Sequence, residues 1–297
     1  MVGIQKPFLK WVGGKSQIIE RVLDKVPNAI ENYYEPFVGG GSVLLAVLSL
    51  QKQGVIKISG NVYASDINGI LIDVYKHVQD EKELLLVEIT RHMSIYKTIG
   101  ELKGTRRPTT LEEAMSSKES YYYWMRKEFN QMKTMSITRS ALFLILNKTC
   151  FRGMYREGPN GFNVPFGHYK RDPTIITSDE LTAVSELLRD VKFTQCGFMD
   201  AFAKVKAGDF IYIDSPYAPE NSRSFVGYMN DGFGPDDHQT LFEATKALQG
   251  AKFLMSNSNV EIVRKAFESY QCDEVPARRA INAKKPGSKT TELLIYN

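Results

Sequence analysis

NYYEPFVGGGSVLLAVLSLQ, residues Asn32–Gln51, reads as a strand ending near Phe37, a turn of three glycines, and a helix from about Ser42. Glycines let a backbone turn tightly and let a ligand approach it closely. The helix that follows would present unpaired N–H groups at its start. The spacing is G-G-G-S rather than G-x-G-x-x-G, and no Lys-Ser/Thr pair follows to hold a triphosphate. Taken alone, such a turn serves a structural loop as readily as a ligand.

The pattern around it repeats. Asn61–Asp66 reads as a second strand, with a helix from Asn68. Val191–Cys196, Phe210–Asp214, Ala251–Ser256 and Leu293–Asn297 are short β-rich runs, with helical patterns near Ser178–Arg189, Asp236–Leu248 and Val260–Glu268. Strands alternating with helices predict an α/β domain with a mostly parallel sheet covered on both faces. Residues 83–172 break the rhythm with helix-like stretches, Leu111–Met132 and Ile137–Leu146, and a long loop, NKTCFRGMYREGPNGFNVPFGHYK. Loops this long in compact domains are functional or disordered, and the many aromatics argue against disorder. The expected organisation is a catalytic and cofactor-binding domain over 1–82 and 173–297, with an inserted, mainly helical subdomain over 83–172.

Composition bounds the class. The 297 residues are 43% hydrophobic and 24% charged, ordinary for a globular chain. No apolar run reaches the roughly 18 residues a membrane helix needs. The N-terminus has no apolar signal-peptide core, so the cytoplasm is the expected location. Cys150, Cys196 and Cys272 are scattered among four isolated histidines, so no metal site is expected. The net charge of +4 is unevenly spread: Gly100–Asp172 holds 13 Lys/Arg against 7 Asp/Glu, a net +6, leaving −2 elsewhere. That segment is either a polyanion-binding face or a solvated helix surface.

Three further stretches carry chemistry. Asp66 in YASDIN ends the second strand, where a carboxylate accepts hydrogen bonds from ribose hydroxyls. FLKWVGGKSQ, Phe8–Gln17, is either a capping turn or a second wall of a ligand pocket, with Lys15 near a carboxylate and Trp11 against a flat or cationic group. FIYIDSPYAPE, Phe210–Glu220, places Asp214 at a strand end, restrains the turn with Pro216 and offers the Tyr217 ring for stacking. Acceptors aimed beside an aromatic suit a planar exocyclic amine. A plain strand-ending proline turn is the competing reading.

Taken in order, these motifs resemble the adenine-N6 DNA methyltransferases of the α group, the Dam/DpnII-like class. FLKWVGGK is similar to that family's N-terminal cofactor motif, EPFVGGGS to its S-adenosylmethionine loop and ASDIN to its ribose-binding acid. DSPY stands where the family has Asp-Pro-Pro-Tyr. CFRGMYR and GFNVPFGHYK resemble its recognition hairpin, and MSNSN and RRAINAKKPGSKTTELLIYN match its later positions. The resemblance implies a Rossmann-like S-adenosylmethionine-dependent methyltransferase sheet with an inserted DNA target-recognition subdomain.

It also implies roles. Trp11, Lys15, Phe37, Gly39, Gly41, Asp66, Phe198 and Asp214 would contact S-adenosylmethionine. Asp214, Ser215, Pro216 and Tyr217 would hold a flipped adenine, with Asp214 and a main-chain carbonyl accepting from N6. Lys10, Phe151, Arg152, Met154, Arg156 and Pro165 would meet double-stranded DNA, with Phe151 as the aromatic beside the vacated base. For Arg152 and Arg156, phosphate and base-edge contact both stay open. The implied activity is N6 methylation within a short duplex site, in restriction-modification or in phage or viral DNA protection. The site is GATC or, because Arg152 stands where GATC enzymes commonly have Asn, a related one such as CATG. A partner restriction endonuclease is implied functionally. Ser215 sets the alternative, a catalytically weakened relative that binds DNA and cofactor. A non-DNA Rossmann-type enzyme and a pure DNA-binding module are the remaining readings.

Overall fold

The computed structural model describes residues 3–100, 104–219, 233–278 and 289–297. Glu220 of the FIYIDSPYAPE stretch and residues 279–288 of the C-terminal motif lie outside the described residues. The chain divides into two compact units. One comprises Met1–Lys6, Lys15–Ile67 and Asp190–Asn297, and the other Pro7–Gly14 and Asn68–Arg189. The expected insert, 83–172, lies inside the second unit. That unit extends further on both sides because helices Gly69–Asp80 and Ser178–Leu188 pack against each other and against its other helices. It also takes in the Phe8–Gly14 half of the N-terminal motif.

The first unit is built on a seven-stranded sheet. Its strands are β1 (Tyr33–Glu35), β2 (Val62–Asp66), β3 (Val191–Gln195), β4 (Phe210–Ile213), β5 (Lys252–Ser258), β6 (Gln271–Arg278) and β7 (Lys289–Tyr296). The spatial order is β6-β7-β5-β4-β1-β2-β3. Pairs among β1 to β5 are parallel, and β7 runs antiparallel to both β5 and β6. The chain steps outward from β1 to β3, then returns to lay β4 on the other side of β1. The order therefore reverses between β1 and β4, where the carboxyl ends of the strands open a crevice.

Every residue of β4 is buried, as expected of a parallel strand covered on both faces. Ile211 and Ile213 face a cluster with Leu241 and Phe242 of helix Pro235–Lys246 and with Phe253 and Met255 of β5. On alternate positions, the Phe210 ring stacks against Tyr33 with centroids 6.0 Å apart. Helix Ser42–Lys52 is buried along Val43–Leu50, as its unbroken apolar run requires. The unpredicted strand is β6. Its Pro276 argues against strand in the sequence, but β6 is an edge, where a missing donor is tolerated.

The second unit is mainly helical. At its centre lies helix Ile137–Thr149, which is buried over Ser140–Asn147 and packs on helices Gly69–Asp80, Lys82–Thr98 and Lys118–Gln131. The sequence reads Leu111–Met132 as one helical stretch. The structure has two helices, Leu111–Ala114 and Lys118–Gln131, because Ser117 stops the first and caps the second by accepting from the Ser120 N–H. Helix Lys82–Thr98 was not expected, since charged residues interrupt its apolar stripe.

Asp209, buried at the amino end of β4, anchors the loop ahead of β1. Its Oδ1 accepts from the Asn32 backbone N–H at 3.0 Å and from Asn32 Nδ2 at 2.7 Å, and its Oδ2 accepts from the Lys206 N–H at 2.8 Å. Asp209→Ala strands these donors and should lower unfolding free energy by about 3 kcal/mol in urea titration. An unchanged midpoint would contradict this ledger of bonds.

Candidate functional site

The reversal of strand order brings two motif loops together within the first unit. β1 ends at Glu35 and runs into the glycine turn, while β4 ends at Ile213 and runs into Asp214–Tyr217. Gly41 stands at the start of helix Ser42–Lys52 with φ 68°, a left-handed conformation that a Cβ would strain, and no side chain caps the helix there. The Gly39 N–H donates to Asp66 Oδ2 at 3.1 Å, so the turn after β1 is tied to the carboxylate ending β2. Phe37 stacks on Phe198 with centroids 5.6 Å apart, and Phe233 meets both rings.

Lys15 links these loops. Its N–H donates to Ser42 Oγ at 3.0 Å, and its ammonium lies 2.7 Å from Asp214 Oδ1. Lys15 is 3% exposed and Asp214 18%. The same ammonium stands 4.9 Å over the Tyr217 ring. Burial raises the Asp214 carboxyl above its usual range, and Lys15 opposes that rise. Glu35 is also buried, and Tyr33 donates to its Oε2 at 2.6 Å. Burial pushes Glu35 up to about 8, against the Tyr33 bond, with nearby Asp214 adding to the rise and Lys15 reducing it. Ser215 is buried, and its hydroxyl donates to the Pro216 carbonyl at 3.3 Å.

In the second unit the central helix organises a different set. Asn147 accepts from the Lys10 N–H at 2.9 Å and donates to the Lys10 carbonyl at 2.7 Å. Just past the helix, Phe151 is exposed, its N–H donating to the Pro165 carbonyl at 2.8 Å. Arg152 is the one described non-glycine residue with positive φ, at 57°, and its guanidinium lies 5.2 Å from the Phe151 ring centroid. Non-glycine residues held there store about 1–3 kcal/mol of strain, which concentrates at functional sites. Gly153 presses on Lys10: a Cβ there would stand 2.5 Å from Lys10 Cδ. The Met154 N–H donates to the Phe151 carbonyl at 3.3 Å. Arg156 spends Nε on Asn163 Oδ1 at 2.6 Å, across a small hairpin.

Lys10, Phe151, Arg152, Met154 and Pro165 thus share one locality. Trp11, expected at a cofactor, has its ring contacts with Tyr155, stacked at 5.5 Å, and Phe143. Two residues were missed. Glu35 was signalled by an acid ending an apolar strand. Tyr169, half-exposed, has Lys10 Nζ 4.7 Å over its ring and donates to the Cys150 carbonyl at 2.8 Å. No cluster of His, Cys, Asp and Glu able to hold a metal occurs among the described residues, and no described helix is long and apolar enough to cross a membrane.

Comparison with known proteins adds to this geometry. Residues 11–281 match the family model of D12 class N6 adenine-specific DNA methyltransferases. The chain is 37% identical to the type II methyltransferase M.MjaIII of Methanocaldococcus jannaschii, over 98% of this chain and 99% of that protein. It is 31% identical to a DNA adenine methylase of Vibrio cholerae, over 98% and 95% of the two chains. It is 28% identical to the type II methyltransferase M1.LlaDCHI of Lactococcus lactis, over 98% and 95%.

Glu35 makes stability depend on pH in a direction that can be read. The unfolded chain ionises this carboxyl near 4.5, whereas the folded chain keeps the proton to about 8. Stability from this group is therefore whole in acid and is lost as pH rises between those values. Glu35→Gln removes that loss. Its melting temperature relative to the parent should climb between pH 5 and pH 8 and level off above. Parallel melting curves across that window would refute the shift.

Proposed function

This chain belongs to the D12 class of N6 adenine-specific DNA methyltransferases, and from that premise we propose that it methylates N6 of an adenine flipped from a short duplex site, using S-adenosylmethionine. The observation that carries the reading is the Lys15–Asp214–Tyr217 set at the sheet's strand-order reversal. GATC or a related site such as CATG is the proposed target, in the cytoplasm of a bacterial, phage-infected or virus-infected cell. The proposed role is restriction-modification or DNA protection, with a cognate endonuclease as a functional partner.

The residues present fit the proposed methyl donor. The bare helix start at Gly41 suits a carboxylate. Asp66 and Asp214 would supply acidic groups for a ligand carrying an ammonium and a sulfonium, and Asp66, at a strand end tied to the glycine turn, is proposed to accept from a ribose diol. Lys15, Phe37, Gly39, Gly41, Asp66 and Asp214 would hold it, with Phe198 beside Phe37. When bound, S-adenosylmethionine would supply an activated methyl group for direct transfer to adenine N6, its sulfonium leaving as a neutral thioether and N6 releasing one proton, with no covalent enzyme intermediate. Asp214 accepts a hydrogen bond from the N6 amino group, and the main-chain carbonyl beside it accepts a second. These acceptors support the amine as its lone pair localises. Burial raises the Asp214 carboxyl above its usual range, and the Lys15 ammonium 2.7 Å away opposes that rise and favours the carboxylate form. Tyr217 stacks on the extruded ring, which repays part of the few kcal/mol that unstacking costs.

The DNA-facing set is Lys10, Phe151, Arg152, Met154, Arg156 and Pro165, to which Tyr169 is added. An exposed Phe151 beside a strained Arg152 supports a wedge role at the vacated base position. The net +6 of the segment from Gly100 to Asp172 supports phosphate contact. Trp11 remains proposed for the cofactor.

Wild-type protein incubated with tritiated S-adenosylmethionine and mixed-sequence DNA should label adenine. Asp214→Ala should slow labelling by at least about 100-fold while leaving DNA affinity within a few-fold in gel shift. Ser215→Pro should label at the parent rate or faster. A fully active Asp214→Ala would end this reading. In the same gel-shift assay, affinity should fall steeply between about 50 and 200 mM salt, and a flat salt response would remove DNA as the substrate.

A further inference from the structure

Tyr217 is held from two neighbouring strands by groups outside its own motif. Its hydroxyl donates to Glu292 Oε2 on β7 at 2.8 Å. One residue on, the Ala218 N–H donates to Asn257 Oδ1 on β5 at 3.0 Å, and the Ala218 carbonyl accepts from Ser258 Oγ. Asn257 Oδ1 also accepts the Ser258 N–H at 2.8 Å. Glu292 and Ser258 are register partners across the β5–β7 pair. Asn257 and Ser258 are buried, and Asn257 Nδ2 has no hydrogen-bond partner among the described residues. A buried amide with one end unsatisfied is costly, and here its other end fixes two backbone N–H groups.

We propose that Glu292 is a positioning residue for methyl transfer, its carboxylate setting the orientation of the Tyr217 ring while Asn257 and Ser258 set the backbone beneath it. The proposal rests on the adenine-methyltransferase reading above. A tyrosine side chain turns about two torsions, so fixing its Cα leaves the ring plane free to swing. A bond from the far end of the ring to a carboxylate removes that freedom, and charge-assisted bonds of this kind are about twice as strong as neutral ones. A receiving ring that is already oriented loses less on stacking with an extruded base. The cross-strand pairing of Glu292 with Ser258 makes ring and backbone respond to one rigid element.

Steady-state kinetics on duplex DNA test this from both ends of the bond. Tyr217→Phe and Glu292→Ala should each lower kcat by about 10- to 100-fold, with KM for S-adenosylmethionine within about twofold. The double variant Tyr217→Phe/Glu292→Ala should be no slower than the slower single variant, because one bond is lost in all three. Glu292→Gln should recover most of the rate, since its amide oxygen still accepts. The proposal is overturned if Glu292→Ala keeps the parent rate, if Glu292→Gln is as slow as Glu292→Ala, or if the two single losses multiply. It is also overturned if Tyr217→Phe, which changes almost no packing, is fully active while Glu292→Ala is slow, since that pattern marks a structural role. A parent protein that labels no adenine overturns the functional reading and this one together. A parent that labels adenine alongside an equally active Glu292→Ala overturns this one alone.

Discussion

A lysine ammonium and an aspartate carboxylate 2.7 Å apart, both largely withdrawn from water, tie the first unit of this chain together. Removing either partner would strand a buried charge, so the pair fixes its surroundings even where its net contribution to stability is small. Lys15 arrives ahead of the first helix, Asp214 from the end of β4, and the Lys15 N–H reaches Ser42 at the start of the helix after β1. Three sequence motifs separated by up to about two hundred residues thus meet at one charge pair. That meeting point is also where strand order reverses, the one place in such a sheet where loops from both halves diverge to admit a ligand.

The pair also distributes protons. Two further acidic groups influence the Asp214 neighbourhood: Glu35, and Glu292 through its bond to Tyr217. A single lysine cannot neutralise several carboxyls in a desolvated space, so the most deeply buried, Glu35, keeps its proton near neutrality. Asp214 retains the lysine, whose charge opposes the rise and favours the carboxylate. Against this background Ser215 loses much of its menace as a departure from Asp-Pro-Pro-Tyr. Its hydroxyl is directed to the Pro216 carbonyl and does not compete for the Asp214 carboxylate.

Much of this was legible in the residues. Strand ends followed by glycine, by Asp-Ile-Asn and by Asp-Ser-Pro-Tyr mark the carboxyl edge of the sheet, and β1, β2 and β4 end within a residue or two of the expected positions. The family resemblance read from those motifs agrees with the D12 match. Less legible was whatever depends on contacts distant in sequence. Trp11 sits two residues from Gly13 in a motif that reads as one piece, yet its partners are Tyr155 and Phe143. The β6 strand carries a proline that only its edge position excuses. Helix Lys82–Thr98 hides its apolar stripe among charges because much of its surface is exposed. Glu292 looks like any surface glutamate in TTELLIYN until the sheet register sets it opposite Ser258.

The central claim is that the Lys15–Asp214 pair organises the chemistry of the site. Nucleoside analysis of DNA treated with the parent protein and with Lys15→Met tests it most directly, with folding of both followed by circular dichroism. The parent should leave N6-methyladenine in the DNA, and Lys15→Met should leave almost none while remaining folded, because Asp214 loses the charge partner that orients it and opposes the burial-driven rise of its carboxyl. N6-methyladenine formed by Lys15→Met at the parent rate would contradict the account.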